Sequence, residues 1–173
     1  MAVLRMNSRE FAAYQHRLAS NFKAVLVRGV QAGAQRVVSY LIDRTRQAPP
    51  ANPAGVGEGG AVNTGEFVRR WKARPLSDGA VVTNDYGPGP TIEHGRRPGR
   101  APPREALIVW AIRRLGLSRE EAEAAVYPIQ QAIKRRGLIG RKILTAPEAQ
   151  ARIEHIVREE IIHEIQRDLA KKR

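Results

Sequence analysis

Cysteine is absent from all 173 residues. That excludes disulfides, thiolate zinc sites, iron–sulfur ligation and cysteine nucleophiles together. Aromatic residues make up only 5% of the chain, too few for the stacking platform on which single-stranded nucleic acids lie. No apolar run exceeds a few residues, so no transmembrane helix is expected. The first turns of sequence scatter Arg5, Arg9, Glu10, Arg17 and Lys23 where a signal peptide would need an apolar block. The chain is therefore expected to stay in the cytosol, in a reducing environment that suits its lack of cysteine.

Acidic residues are the minority: 17 Asp and Glu against 30 Lys and Arg, a formal net charge of +13. The excess is uneven. Residues 1–65 carry 8 basic and 3 acidic groups, residues 66–142 carry 16 and 8, and residues 143–173 carry 6 and 6. The charge is thus not a basic tail, and it points to a polyanion or an acidic protein surface as partner.

Helical periodicity is strongest at the start. From Ser8 to Arg46, apolar residues recur at Phe11, Tyr14, Leu18, Phe22, Val25, Leu26, Val30, Val37, Val38, Leu41 and Ile42. Asn7 and Glu10 have capping-box spacing. A helix of that length is about 55 Å long, more than a small domain covers, so it must bend, with Gly29 and Gly33 as the break points, or project toward a partner helix. Residues 47–63 follow as a Gly/Pro-rich flexible loop.

A hairpin is expected next. Its first strand runs from Glu66 to Pro75, with Phe67, Arg69, Trp71 and Ala73 on one face and Val68, Arg70, Lys72 and Arg74 on the other. Asp78-Gly79 makes the turn and Ala80 to Thr83 the return strand. The Gly/Pro-rich residues 86–103 hold a short strand at Thr91-Ile92-Glu93-His94. A helix over Arg104–Leu115 stops at Gly116, and another over Arg119–Arg136 is capped by Ser118 with Glu121 and stopped by Gly137, with Pro128 expected to kink or split it. The last helix spans Pro147–Ala170, with Ile153, Ile156, Val157, Ile161, Ile165 and Leu169 near a heptad register. The expected fold is a single α+β domain: a small antiparallel sheet packed by the 8–46 helix and the C-terminal helices, with sheet and middle helices over 64–146.

Catalytic signals are sparse. His155, Glu159 and His163 share a helix face at metal-ligand spacing, but such spacing arises easily on a solvated charged face. His163-Glu164 opens like a metalloprotease helix, yet position 167 is Arg where the second ligand belongs. Asp85, Glu93 and His94 form an acidic–imidazole group too small for a two-cation nuclease, and a structural role fits it better. No phosphate-cradling loop or nucleophile elbow occurs. Neither catalytic residues nor a metal or cofactor is expected. Two basic patches remain. Gly95-Arg96-Arg97-Pro98-Gly99-Arg100 superficially resembles a minor-groove hook, and Lys134-Arg135-Arg136 with Arg141-Lys142 form the second.

The order of these segments resembles the tailed-bacteriophage minor tail component family, the neck or tail-completion proteins of the head–tail junction. The residues that carry the likeness are Asn63-Thr64-Gly65 with Arg70-Trp71-Lys72; Gly79-Ala80-Val81-Val82-Thr83-Asn84 with Tyr86; Glu93-His94-Gly95; Pro102-Pro103 with Leu107 and Trp110; and Gly140-Arg141-Lys142 running into Ala146. The family tends to continue as a strand after Tyr86, whereas here Gly87-Pro88-Gly89-Pro90 intervenes. The resemblance implies a non-enzymatic virion protein, assembled in the host cytoplasm. It implies a homo-oligomeric ring, often sixfold, between connector or stopper and tail terminator or tail-tube proteins, with DNA passing through and no membrane. With the basic loop, it nominates Arg70, Trp71, Lys72, Tyr86, Glu93, His94, Arg96, Arg97 and Arg100 as interaction residues. A nucleic-acid-binding protein that grips phosphates with its cationic hairpin and Arg96–Arg100 loop is the second reading. A metal-dependent nuclease using Asp85, Glu93 and His94 is the third.

Overall fold

A computed structural model describes residues 8–47 and 64–171. The fold is α+β: helices α1 (Ser8–Gln47), α2 (Glu66–Arg69), α3 (Gly89–His94), α4 (Arg104–Leu115), α5 (Arg119–Arg136) and α6 (Pro147–Ala170), with strands β1 (Trp71–Leu76), β2 (Gly79–Asn84), β3 (Gly95–Arg96) and β4 (Leu138–Ile139). Strands β1 and β2 form one two-stranded sheet and β3 and β4 another. The cap at Asn7 and the loop expected over 47–63 lie outside the described residues, apart from Gln47, which ends α1.

The chain divides into two compact units. The first gathers the described residues up to Val38, Ala73–Val82, and those from Ala151 onward; the second gathers Ser39–Lys72 and Thr83–Gln150.

In the first unit α1 packs antiparallel on α6. Gly29 and Gly33 are the reason the two backbones can meet. A Cβ at Gly29 would lie 2.6 Å from the Ile161 Cα, and one at Gly33 would lie 2.9 Å from the Val157 Cα. The expected break at these glycines does not occur, because α1 is continuous and its glycines serve close helix approach. Val25, Ala34, Val37 and Ile156 are buried in this unit. Ion pairs flank the contact: Arg28 reaches Glu164 at 3.4 Å and Asp168 at 3.8 Å, while Arg36 reaches Glu160 at 2.7 Å and Glu159 at 3.4 Å. The hydrogen bond from Arg36 holds the nearly buried Glu160 carboxyl below its usual pKa, against the opposing effect of burial. Gln31 donates to the Leu76 carbonyl at 3.0 Å, tying the hairpin to α1.

In the second unit the α4–α5 pair encloses Ile108, Ala111, Ala122 and Val126, with Leu107, Trp110, Ile112 and Leu117 packed around them. Ser118 accepts from the Glu121 amide at 3.2 Å and Glu121 accepts from the Ser118 amide at 2.8 Å, so the capping box forms as expected. One helix runs through Pro128 without splitting. Gly116 and Gly137 end their helices at φ 68° and 75°.

The expected hairpin forms from β1 and β2, but the start of its first strand and the short strand expected at Thr91–His94 are helical turns. Glu66–Arg69 forms α2, because Gly65 turns the chain at φ 80° and its carbonyl accepts the Arg69 amide at 3.0 Å. The adjacent Phe67 and Val68 are both buried, which a strand with one covered face cannot achieve. Thr91–His94 belongs to α3. Pro90 in its first turn pre-sets helical φ, and the Pro88 carbonyl accepts from Thr91 at 3.0 Å and Ile92 at 3.1 Å. The strand that follows, β3, starts at Gly95, pairing with the unexpected β4 as Gly95 opposite Ile139 and Arg96 opposite Leu138.

Gly29→Ala should destabilise the protein by roughly 1–3 kcal/mol through overpacking, outweighing the helix-propensity gain of about 1 kcal/mol. Gly33→Ala should cost less. Gly87→Ala, which meets nothing within 4 Å, serves as the neutral control. Thermal unfolding of the three variants checks this, and an unchanged or raised Tm for Gly29→Ala would contradict it.

Candidate functional site

The nominated residues all belong to the second unit, and its geometry assigns them different roles. Trp71 is buried. Its ring meets Phe67 edge-on at 5.6 Å and its Nε1 donates to Thr45 Oγ1 at 3.1 Å, while that hydroxyl donates to the Leu41 carbonyl at 2.6 Å. Tyr86 packs on the other side of Phe67, with ring centroids 5.9 Å apart. Phe67 and Trp71 are core, and Tyr86 is partly buried against them.

Arg70 and Lys72 converge on Asp85, at 3.4 and 3.5 Å, and Arg70 also reaches Glu66 at 3.4 Å. The hydrogen bonds that Arg70 donates to Glu66, then to Asp85, raise its pKa above the ordinary value. Partial burial would raise that of Asp85, but Lys72 and Arg70 outweigh it and hold the carboxyl low. The expected cationic strand face is thus neutralised locally.

Glu93 accepts five hydrogen bonds at its carboxylate. It is 9% exposed. Oε2 accepts from the Ile143 amide at 2.9 Å and the Leu144 amide at 3.2 Å. Oε1 accepts from the Leu144 amide at 3.0 Å, the Thr145 amide at 2.7 Å and the Thr145 hydroxyl at 2.8 Å. Its own carbonyl accepts from the Lys142 amide at 3.0 Å, and that of Ile92 from Arg141 at 2.8 Å. Lys142 takes a left-handed φ of 47° to aim these amides inward, a strain of about 1–2 kcal/mol that five carboxylate hydrogen bonds offset. With both oxygens so occupied, Glu93 has no geometry for general acid–base work or cation binding. The exposed His94 next to it, and Asp85 in its own ion pairs, do not join it in a site.

On α6, His155 sits 3.2 Å from Glu159 and His163 sits 3.6 Å from Glu160. Among the described residues no group of three or more His, Cys, Asp or Glu is placed to hold a metal ion. Among the same residues no helix is long and apolar enough to cross a membrane.

Arg96 fixes a loop: its Nη2 donates to the Arg100 carbonyl at 2.6 Å and the Ala101 carbonyl at 3.5 Å. Arg97 and Arg100 point into solvent. Burial and the neighbouring Arg114 lower the pKa of Arg141.

The strongest surface feature is one that the nominated residues missed. Every residue of α1 from Ser8 to Ala24 is exposed. Phe11, Tyr14, Leu18 and Phe22 are each about half exposed, at 51, 45, 49 and 55%. A shallow groove lined by Leu18, Phe22, Val25, Ile165 and Leu169 continues this stripe onto α6. The spacing signal for an apolar helix face is present in the sequence, but which of its turns are exposed follows only from the packing of α1 on α6. The chain matches no protein-family model, no curated protein and no solved structure.

Glu93→Ala should cost roughly 3–5 kcal/mol, as expected when one side of a buried charged arrangement is removed. Glu93→Gln, which keeps one acceptor, should cost less. Amide hydrogen exchange at Ile143, Leu144 and Thr145 should accelerate in both variants, and unchanged exchange there would contradict the assignment.

Proposed function

We propose that this chain is a structural assembly subunit whose copies join into a closed ring, and that, following its resemblance, the ring sits in the neck or tail of a tailed bacteriophage. The observation that carries the reading is the uncovered apolar stripe of α1. Isolated exposed apolar residues are normal on a surface, but a continuous helical stripe marks an interaction face. From Val25 onward the same stripe is covered by α6 within the first unit. A second copy is the occupant argued here, because the uncovered turns continue an interface that the chain already makes with its own helix.

Magnitudes favour closure. Covering four half-exposed side chains recovers on the order of 4 kcal/mol, which alone gives a millimolar contact. In a ring each subunit makes two such contacts and none is left open. The virion setting rests on the order of segments over residues 63–146, and the occupied carboxylates and paired cations among the nominated residues suit a scaffold better than a catalyst.

Light scattering at rising concentration tests the reading. The wild type should shift from 19.2 kDa subunits to a discrete ring mass, with connector or tail-tube proteins promoting the shift. Phe11→Glu with Leu18→Glu should raise the assembly midpoint by at least about tenfold and leave helical content unchanged. A chain that stays monomeric at every concentration, with and without those proteins, would sink it.

A further inference from the structure

In the second unit several cations are matched with carboxylates: Arg44 with Glu148, Arg69 and Arg70 with Glu66, Lys72 with Asp85, Arg119 with Glu123. One region departs from this. Two segments nearly 40 residues apart in sequence, the 97–100 loop and the end of α5, lie against each other. The Gly99 amide donates to the Lys134 carbonyl at 2.7 Å. The Arg96 carbonyl fills the space that a Cβ on Gly137 would need, and Arg96 pairs with Leu138 in the β3–β4 ladder. The result is one surface bearing Arg97, Arg100, Lys134, Arg135 and Arg136, all exposed. Among the described residues none of the five is ion-paired with a carboxylate.

We propose that this surface binds double-stranded DNA through its phosphates, without reading sequence. The chemistry selects the ligand. Three cations at the end of α5 complement the helix dipole, but Arg97 and Arg100 add charge that the helix does not require. The two segments contain no aromatic side chain on which single-stranded bases could stack. They also lack the large apolar anchors on which protein interfaces depend. What they offer is permanent positive charge on a loop held rigid by the Arg96 hydrogen bonds, which is sufficient for a phosphate backbone. The proposal does not depend on ring assembly and stands or falls separately from it.

Fluorescence anisotropy of the full chain with a short DNA duplex tests it. Five phosphate contacts give a log–log salt slope of about −4.5, a fall of about 500-fold in affinity between about 50 mM and 200 mM salt. Reversal of four charges (Arg97→Glu, Arg100→Glu, Lys134→Glu, Arg136→Glu) should weaken binding by at least tenfold. Lys23→Glu with Arg152→Glu, exposed cations outside the surface, should leave it within about twofold. If the reversed variant misfolds, Arg97→Gln with Arg100→Gln should flatten the slope by about 2. Absence of binding at low salt, equal weakening by the control pair, an unchanged slope in the Gln variant, or equal competition by polyglutamate would each overturn the proposal.

Discussion

A carboxylate removed from water must be matched by donors or it destabilises the fold by several kcal/mol, and the second unit is arranged around meeting that demand for Glu93. Its five hydrogen bonds to residues 143–145 pull the start of α6 against the end of α3. The backbone bonds from Arg141 and Lys142 to Ile92 and Glu93 hold the two strands of the crossing together. The crossing is so tight that side chains are excluded from it: a Cβ on Gly95 would strike the Leu138 carbonyl, and one on Gly140 would strike the backbone of His94 and Glu93. β3 and β4 pair with Gly95 opposite Ile139, and the loop after β3 is laid over the end of α5. The cationic surface there is a consequence of how one buried acid is satisfied.

Charge elsewhere is matched more simply. α6 supplies Glu159, Glu160, Glu164 and Asp168 to the arginines of α1, and Asp85 draws together Arg70 and Lys72. Exposed pairs of this kind contribute little stability individually, but they remove cations from the set available to a partner. Of a +13 chain, what is left to act externally is concentrated in a few places. Apolar surface follows the same logic: α6 covers α1 from Val25 within the first unit, and the turns that carry Phe11, Tyr14, Leu18 and Phe22 are exposed.

Local signals in the sequence were reliable where local physics decides. α4, α5 and α6 have the expected bounds because Pro103, Ser118 and Pro147 start them and glycines end the first two. The Glu66–Arg69 and Thr91–His94 segments differ from expectation because stretches of so few residues satisfy a strand or a turn of helix equally well. The deciding contacts, Gly65 with Arg69 and Pro88 with Ile92, involve a conformation rather than a pattern. Glu93 was legible as structural rather than catalytic, but its partners lie about 50 residues away and no spacing rule connects them. Likewise the sequence leaves Trp71 available for recognition, whereas Thr45 and Phe67 pack against it in the fold. Gly29 and Gly33 had an apparent local meaning, a helix break, that the proximity of Ile161 and Val157 replaced.

A contact between copies would bury the exposed apolar face of α1. The chain's lack of cysteine permits a clean test by single-cysteine alkylation. Gln15 lies on that face, four residues after Phe11 and three before Leu18, whereas Ser20 lies on the opposite side of the same helix. With rising protein concentration, the thiol of Gln15→Cys should become protected from maleimide while that of Ser20→Cys stays reactive. Equal reactivity of the two at every concentration would contradict the account.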